Sequence, residues 1–350
     1  MNQLAGELSS TITPVVGQHK VGRLSLSQRV RSAFLYIAPT PELGLAATFA
    51  LVAILLSLAF GLPFVFPNGD ALAFMGMSYF VPFGIIAAWT VMTLMSKRRM
   101  RLLYYIAAAF SYSVVLIVHF NVKLWMTFVN PRLWDDLYWD IDQALRPLID
   151  ASFLVHSGVD WALPGGNYLY AFAFLSMFVA SIVVHSMRCF IVFRKVIFSA
   201  MLVHVLGGLS YLIMPAIGPF IYEAGVNAVE TTRQAHMFGG YQALVAGGRG
   251  WMAAEGGEHM FAAIGAMPSL HVASSSVFVY FAWRHERCLG MCYLPLFIYI
   301  MLEAMATRWH YFVDVPVGLA VSTLAIWICL KVFAPIEAHH GRRKEASNDN

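Results

Sequence analysis

Long apolar runs separated by short polar segments dominate the chain. Runs long enough to cover the ~30 Å hydrocarbon core of a bilayer occupy residues 43–66, 72–95, 102–126, 168–187 and 196–215. Beyond a Gly-rich stretch come three more, at 269–283, 289–307 and 310–333. Backbone in lipid is satisfied only in helices or closed barrels, and uninterrupted runs of this kind favour helices. The pattern therefore predicts an all-α, polytopic membrane bundle of about eight transmembrane helices. The run at 269–283 is short for a full crossing, which predicts interface depth for His271.

The polar segments have their own patterns. Residues 20–37 set Lys20, Arg23, Arg29 and Arg31 beside Leu26, Val30, Phe34 and Ile37 at helical spacing. This predicts a basic amphipathic helix lying on an anionic leaflet, within a cytoplasmic arm of residues 1–41. Residues 42–126 make three membrane helices. In the external region 127–166, Leu133, Leu137, Ile141, Leu145 and Leu148 form one stripe, with Asp135, Asp136, Asp140, Asp142 and Asp150 elsewhere. With Trp134 and Trp139 this reads as a helix in the outer interface. It is either a roof over a site or a surface helix with a solvated acidic face. Residues 167–334 form the helical core that carries the chemistry, interrupted by a long external loop at 217–265, and 335–350 are a cytoplasmic tail.

Composition sharpens the class. Of 350 residues, 59% are hydrophobic and 12% charged, about half the charged share of ordinary globular chains. Mean hydropathy is +0.66. A soluble domain is excluded, and nothing in the pattern reads nucleic acid. The net charge of +4 says less than its distribution. With the N-terminus inside, 17 of the 23 Lys and Arg residues fall on inner segments, the clusters Lys97-Arg98-Arg99 and Arg342-Arg343-Lys344 among them. By the positive-inside rule both termini are cytoplasmic. Cys189, Cys288, Cys292 and Cys329 then lie at or near the inner side, which argues against a disulfide framework.

Candidate chemistry converges on residues 265–318. One phrase reads Gly-Ala-Met-Pro-Ser-Leu-His at 265–271, and the other Thr-Arg-Trp-His-Tyr-Phe-Val-Asp-Val at 307–315. Pro268 suits a first helical position. The free N–H groups of Ser269, Leu270 and His271 would then point out of a helix end, an anion-binding arrangement. The Ser269 hydroxyl and the His271 ring stand at the same place. In the second phrase His310 and Asp314 are spaced i, i+4 and predict a shared helix face. The carboxylate can hold one ring nitrogen and leave the other free to attack. Arg308 and Arg249 are candidate phosphate clamps, and Glu303 is expected to pair with one of them. His271 and His310, 39 residues apart, are returned to one membrane face by a helical hairpin. His119 and His204 read as packing residues, and His236 and His259 as loop residues. The chemistry calls for no metal and no organic cofactor.

The matches Pro268-Ser269-Leu270-His271 and His310-Tyr311-Phe312-Val313-Asp314 resemble the second and third motifs of the type 2 phosphatidic acid phosphatase superfamily. The fuller phrases look most like the inositol phosphorylceramide synthase branch, as does Met214-Pro215-Ala216-Ile217-Gly218-Pro219. The resemblance implies that His310 is the nucleophile, Asp314 its orienter and His271 the acid for the leaving oxygen. It implies a phospholipid or lipid-phosphate substrate, with a lipid hydroxyl or water as acceptor. The setting would be a bacterial inner membrane with the site facing the periplasm, or a Golgi-type membrane with a luminal site. The superfamily's first motif, Lys-x6-Arg-Pro, is absent around residues 201–220, and Glu303-Ala304 replaces the usual Ser-Arg ahead of the histidine. A plain lipid-phosphate phosphatase, acting on phosphatidate or a polyprenyl phosphate or diphosphate, is the alternative enzyme. A transporter would show repeated broken helices and mid-membrane ionisable residues, whereas the polar groups here cluster at one face.

Overall fold

A computed structural model describes residues 40–67, 102–163, 168–260 and 265–348. The basic helix expected at 20–37, the span expected at 72–95 and the cluster at 97–99 lie outside the described residues. The ten α-helices among the described residues are α1 (Pro41–Phe60), α2 (Leu102–Val129), α3 (Asp135–Ala144), α4 (Arg146–Ala162) and α5 (Leu169–Arg188). They continue with α6 (Phe190–Ile213), α7 (Ala228–Glu255), α8 (Leu270–His285), α9 (Arg287–Ala306) and α10 (Asp314–Asn348). Six of them, α1, α2, α5, α6, α9 and α10, are long and apolar enough to cross a membrane. Of the other two expected, the span at 72–95 lies outside the described residues and the one at 269–283 is α8, of only 16 residues.

The hub is α6, which packs against α1, α2, α5, α8 and α10. Beyond Arg194 and Lys195 near its start, its sequence is largely apolar on every side, and such a helix belongs in a core. In its most apolar stretch 72% is buried, against 17% for α1. Two glycines let neighbours come close. A Cβ on Gly207 would stand 2.3 Å from Leu270 Cδ2, and one on Gly208 would stand 3.1 Å from His119 Nδ1. The first residue of α8 is thus seated directly on the hub, as small residues permit in membrane helices.

Polar contacts separate the two ends of the bundle. At one end Arg194 reaches Glu42 at 3.2 Å and donates to the Tyr104 hydroxyl at 2.7 Å, and Lys195 meets Glu337 at 2.6 Å. These join the starts of α1, α2 and α6 to the later turns of α10. The other end carries both motif phrases.

That second end is built on residues 214–219. Pro215 O accepts from Trp134 N at 2.9 Å, and Ala216 O accepts from Ala266 N at 3.0 Å. The amides of Ile217 and Gly218 both donate to the Asp135 carboxylate at 2.9 Å. A Pro-rich strip that cannot continue α6 therefore ties α3 to the first phrase. The interfacial helix expected within 127–166 is two helices, α3 and α4, with Arg146-Pro147 opening the second. Its leucines Leu133, Leu137 and Leu148 are exposed, as an interfacial stripe requires, but Asp135 and Asp142 are buried.

The stretch expected as a loop at 217–265 contains the 28-residue helix α7, broken at Gly248 (φ 61°). Asn227 starts it by accepting from the amides of Val229 and Glu230 at 3.0 and 3.2 Å. This N-cap satisfies donors that would otherwise be free.

Candidate active site

The first phrase forms a turn and the opening of α8. Pro268 precedes the N-cap, which is Ser269, so the uncommitted first-turn amides are those of Leu270, His271 and Val272 and not the set expected from sequence. The Ser269 amide is already used: it donates to Asp314 O at 3.1 Å. Its hydroxyl is buried without a hydrogen-bond partner. A buried hydroxyl in that state costs roughly 1–3 kcal/mol unless a ligand or water satisfies it. Gly318 makes this junction possible, since a Cβ there would lie 2.7 Å from Ser269 O. Gly318→Ala is expected to force α8 and α10 apart at the site and to cost about 1–3 kcal/mol. Thermal melts paired with assays should show kcat falling further than KM changes.

The second phrase is a tight turn between α9 and α10. Thr307 N and its hydroxyl both return to Glu303 O, Arg308 N donates to Met305 O at 3.0 Å, and His310 N donates to Ala304 O at 3.1 Å. Arg308 adopts φ +60°, uncommon for a residue with a Cβ. Elements distant in sequence brace the turn. Gln234 donates to Thr307 O at 2.7 Å, Trp309 Nε1 donates to Glu230 at 2.8 Å, and Phe220 N donates to Arg308 O at 3.2 Å.

His310 and Asp314 meet through this turn and not along a shared helix face, because α10 begins only at Asp314. Asp314 Oδ2 lies 3.2 Å from His310 Nδ1 and accepts from Tyr311 N at 2.8 Å. A shorter contact comes from the other phrase: Ala266 O lies 2.7 Å from the same ring nitrogen. A carbonyl oxygen can only accept, so Nδ1 carries the proton and Nε2 is the bare nitrogen. Asp314 is fully buried and His310 is 8% exposed, which leaves the ring edge reachable and its partner shielded.

His271 sits in the first turn of α8. Its ring packs edge-on against Phe174 at 4.7 Å and Tyr170 at 5.4 Å between centroids. It is near enough to His310 for the charge of one ring to be felt at the other. Neither His271 nitrogen has a hydrogen-bond partner among the described residues.

The remaining expected residues are placed differently. Arg308 is fully buried, with Asp142 Oδ2 at 3.0 Å and Glu223 Oε2 at 3.5 Å, and its guanidinium lies 5.4 Å from the Trp139 ring. These distances are ion pairs without hydrogen-bond alignment. Arg249 is exposed on α7, with its guanidinium against Gly61. Glu303 contacts neither arginine; both of its oxygens lie 2.9 Å from His156 Nδ1. That bond raises the His156 pKa above its ordinary value against the opposing effect of burial. A raised folded value means that the pair's stabilisation is full below the unfolded imidazole range and fades as pH climbs through the folded one. Melting temperature is therefore expected to decline from about pH 6.5 upward, with Glu303→Gln flattening that slope.

Sequence reasoning missed Asp135 and Asp142 as builders of the site. Asp135 accepts from the Tyr311 hydroxyl at 2.7 Å as well as from two amides, and Asp142 accepts from Phe312 N at 2.7 Å. Burial pushes both carboxyls above the usual range, and these hydrogen bonds pull them back. Tyr138, Ala216, Ala266, Met267 and Tyr311 pack as one apolar cluster beneath them. No group of three or more His, Cys, Asp or Glu side chains among the described residues is arranged to hold a metal ion.

No curated protein and no solved structure matches the chain. One family model does, described as the PAP2 superfamily, over residues 138–328, which runs from α3 into α10 and takes in both histidine phrases. With more than half of its length matched and the site inside the match, the chain belongs to the PAP2 superfamily.

Proposed function

We propose that this protein is a membrane lipid phosphotransferase that passes a phosphoryl headgroup, such as inositol phosphate, from a phospholipid to a lipid hydroxyl through His310. Superfamily membership suggests activity of the lipid phosphatase or phosphotransferase type. The single observation that carries the mechanism is the Ala266 carbonyl at 2.7 Å from His310 Nδ1, which commits the proton to that side and bares Nε2.

In the first half, Nε2 forms a bond to phosphorus and the bond from phosphorus to the donor's glycerol oxygen breaks. His271 gives its proton to that oxygen as it leaves. Asp314, beside Nδ1, stabilises the positive charge gained by the ring. The first-turn amides of α8 and the Ser269 hydroxyl receive the equatorial oxygens. In the second half the acceptor hydroxyl attacks phosphorus, yields its proton to His271, and the N–P bond breaks. Arg308, held between two carboxylates, positions Asp142 against the Phe312 amide. The inositol-headgroup version rests on the resemblance of residues 214–219, 265–271 and 310–314 alone.

The second reading is a lipid-phosphate phosphatase. It shares the first half, and water replaces the alcohol in the second. Both place the site at the outer face, supported by the inner-positive charge pattern and by the gathering of Arg194 and Lys195 at the end opposite the histidines. The test is purified full-length protein with lipid phosphates and phospholipids, with and without an acceptor lipid. Acceptor-dependent product supports the transferase. Phosphate release indifferent to acceptor supports the phosphatase, and no turnover of any phosphate ester removes both.

A further inference from the structure

We propose that Lys123, on α2, is the cation that holds the substrate's phosphate oxygens, an inference that rests on the phosphoryl-transfer reading above. Lys123 lies six residues before the end of α2, about 9 Å along the axis from that end at ~1.5 Å per residue. It therefore sits just inside the mouth where the two phrases meet. Its Nζ stands 5.1 Å from the centre of the Tyr211 ring. The Tyr211 hydroxyl points to Pro268 O at 3.4 Å. A Cβ on Gly265 would come within 3.0 Å of Lys123 Cε and 3.1 Å of Tyr211. The lysine stem thus lies flush against the first phrase, at a position where a glycine makes the room. Its charge is felt at the His271 ring.

No carboxylate pairs with Lys123 among the described residues, in contrast to Arg146, Arg194, Lys195, Arg233 and Arg308. An ammonium inside a membrane helix is costly and is ordinarily paired. A phosphate in reach of Nζ would supply the missing negative charge through charge-assisted hydrogen bonds. The other candidates are less free to do so. Arg308 is shared by Asp142 and Glu223, and Arg249 is exposed against Gly61. The part of α6 nearest the site, residues 201–213, contains no lysine or arginine. Lys123 lies on α2, ahead of the residues matched by the family model.

The test measures binding of inorganic phosphate and orthovanadate to detergent-solubilised full-length protein by calorimetry, alongside KM and kcat with a lipid phosphate. Lys123→Met is expected to weaken phosphate binding about 10- to 100-fold, the effect of losing a charge-assisted contact, and to raise KM. Lys123→Arg should recover most of that loss. Because a methionine could disturb packing at Gly265, Lys123→Cys provides a second arm, with aminoethylation expected to restore binding. A Lys123→Met protein that binds phosphate as tightly as wild type, with KM unchanged, overturns the assignment and leaves the phosphotransfer reading standing. A wild-type protein that takes up neither anion nor turns over any phosphate ester overturns both.

Discussion

Replacing His310 by glutamine lowers kcat about 10⁴-fold or more, the scale on which losing a covalent nucleophile acts, with the melting temperature little changed. The prediction follows from the hydrogen-bond directions around one ring. Ala266 O accepts at Nδ1 and Asp314 stands behind it, so the only ring atom available to phosphorus is Nε2. Glutamine fills similar space and can still donate to Ala266 O, yet it offers no nucleophilic nitrogen. A packing role would show the opposite signature, lower stability with kcat nearly intact. Assays on folded, monodisperse variant protein separate the two.

The second large effect concerns His271 and depends on the leaving group. His271→Ala is expected to slow turnover of a lipid donor by about 10²- to 10⁴-fold, the usual contribution of a positioned acid or base. An alkoxide leaves poorly without a proton, whereas a nitrophenolate needs none. With a nitrophenyl ester the variant should therefore release a rapid burst of nitrophenol equal to the enzyme present, followed by slow steady turnover. The slow phase reports the missing base in the second half. Equal losses for both leaving groups, with no burst, would show that His271 has only a packing role against Phe174 and Tyr170.

The parts of this site that were legible in the sequence are those fixed by local spacing and residue chemistry. Pro268 to His271 and His310 to Asp314 each act over a few residues, and the hydrophobic runs brought them to one end of a helical hairpin. Even there the local geometry differed: Pro268 stands before the N-cap, and Asp314 begins α10 while His310 stays in the turn. What was illegible is what backbone atoms and distant partners contribute. The decisive acceptor for His310 is the carbonyl of Ala266, a group every residue carries. Asp135 and Asp142 do not stand out from the other acids of their stretch because their partners, the amides of Ile217, Gly218 and Phe312, lie far along the chain.

The helix α7 had a signal that was available. Asn227 followed by Glu230 is the spacing of a capping residue and a first-turn acid, and Asn227 does cap that helix. The glycines at 247, 248 and 250 outweighed it in a reading by composition, and the chain breaks only at Gly248. Glu230 then turns to Trp309 and Gln234 to Thr307, so the supposed loop braces the turn that carries His310. Glu303 was expected beside an arginine from its nearness in sequence to Arg308, and helix rotation takes it to His156 instead.

The most direct measurement is to mix full-length protein with a phospholipid or lipid-phosphate donor, quench rapidly into base, and map the modified residue by mass spectrometry. The expected result is a phosphoryl or phosphoryl-headgroup adduct on His310, whose mass also tells a phosphatase from a headgroup transferase. Steady turnover with the adduct on another side chain, or undiminished turnover in His310→Gln, contradicts the mechanism.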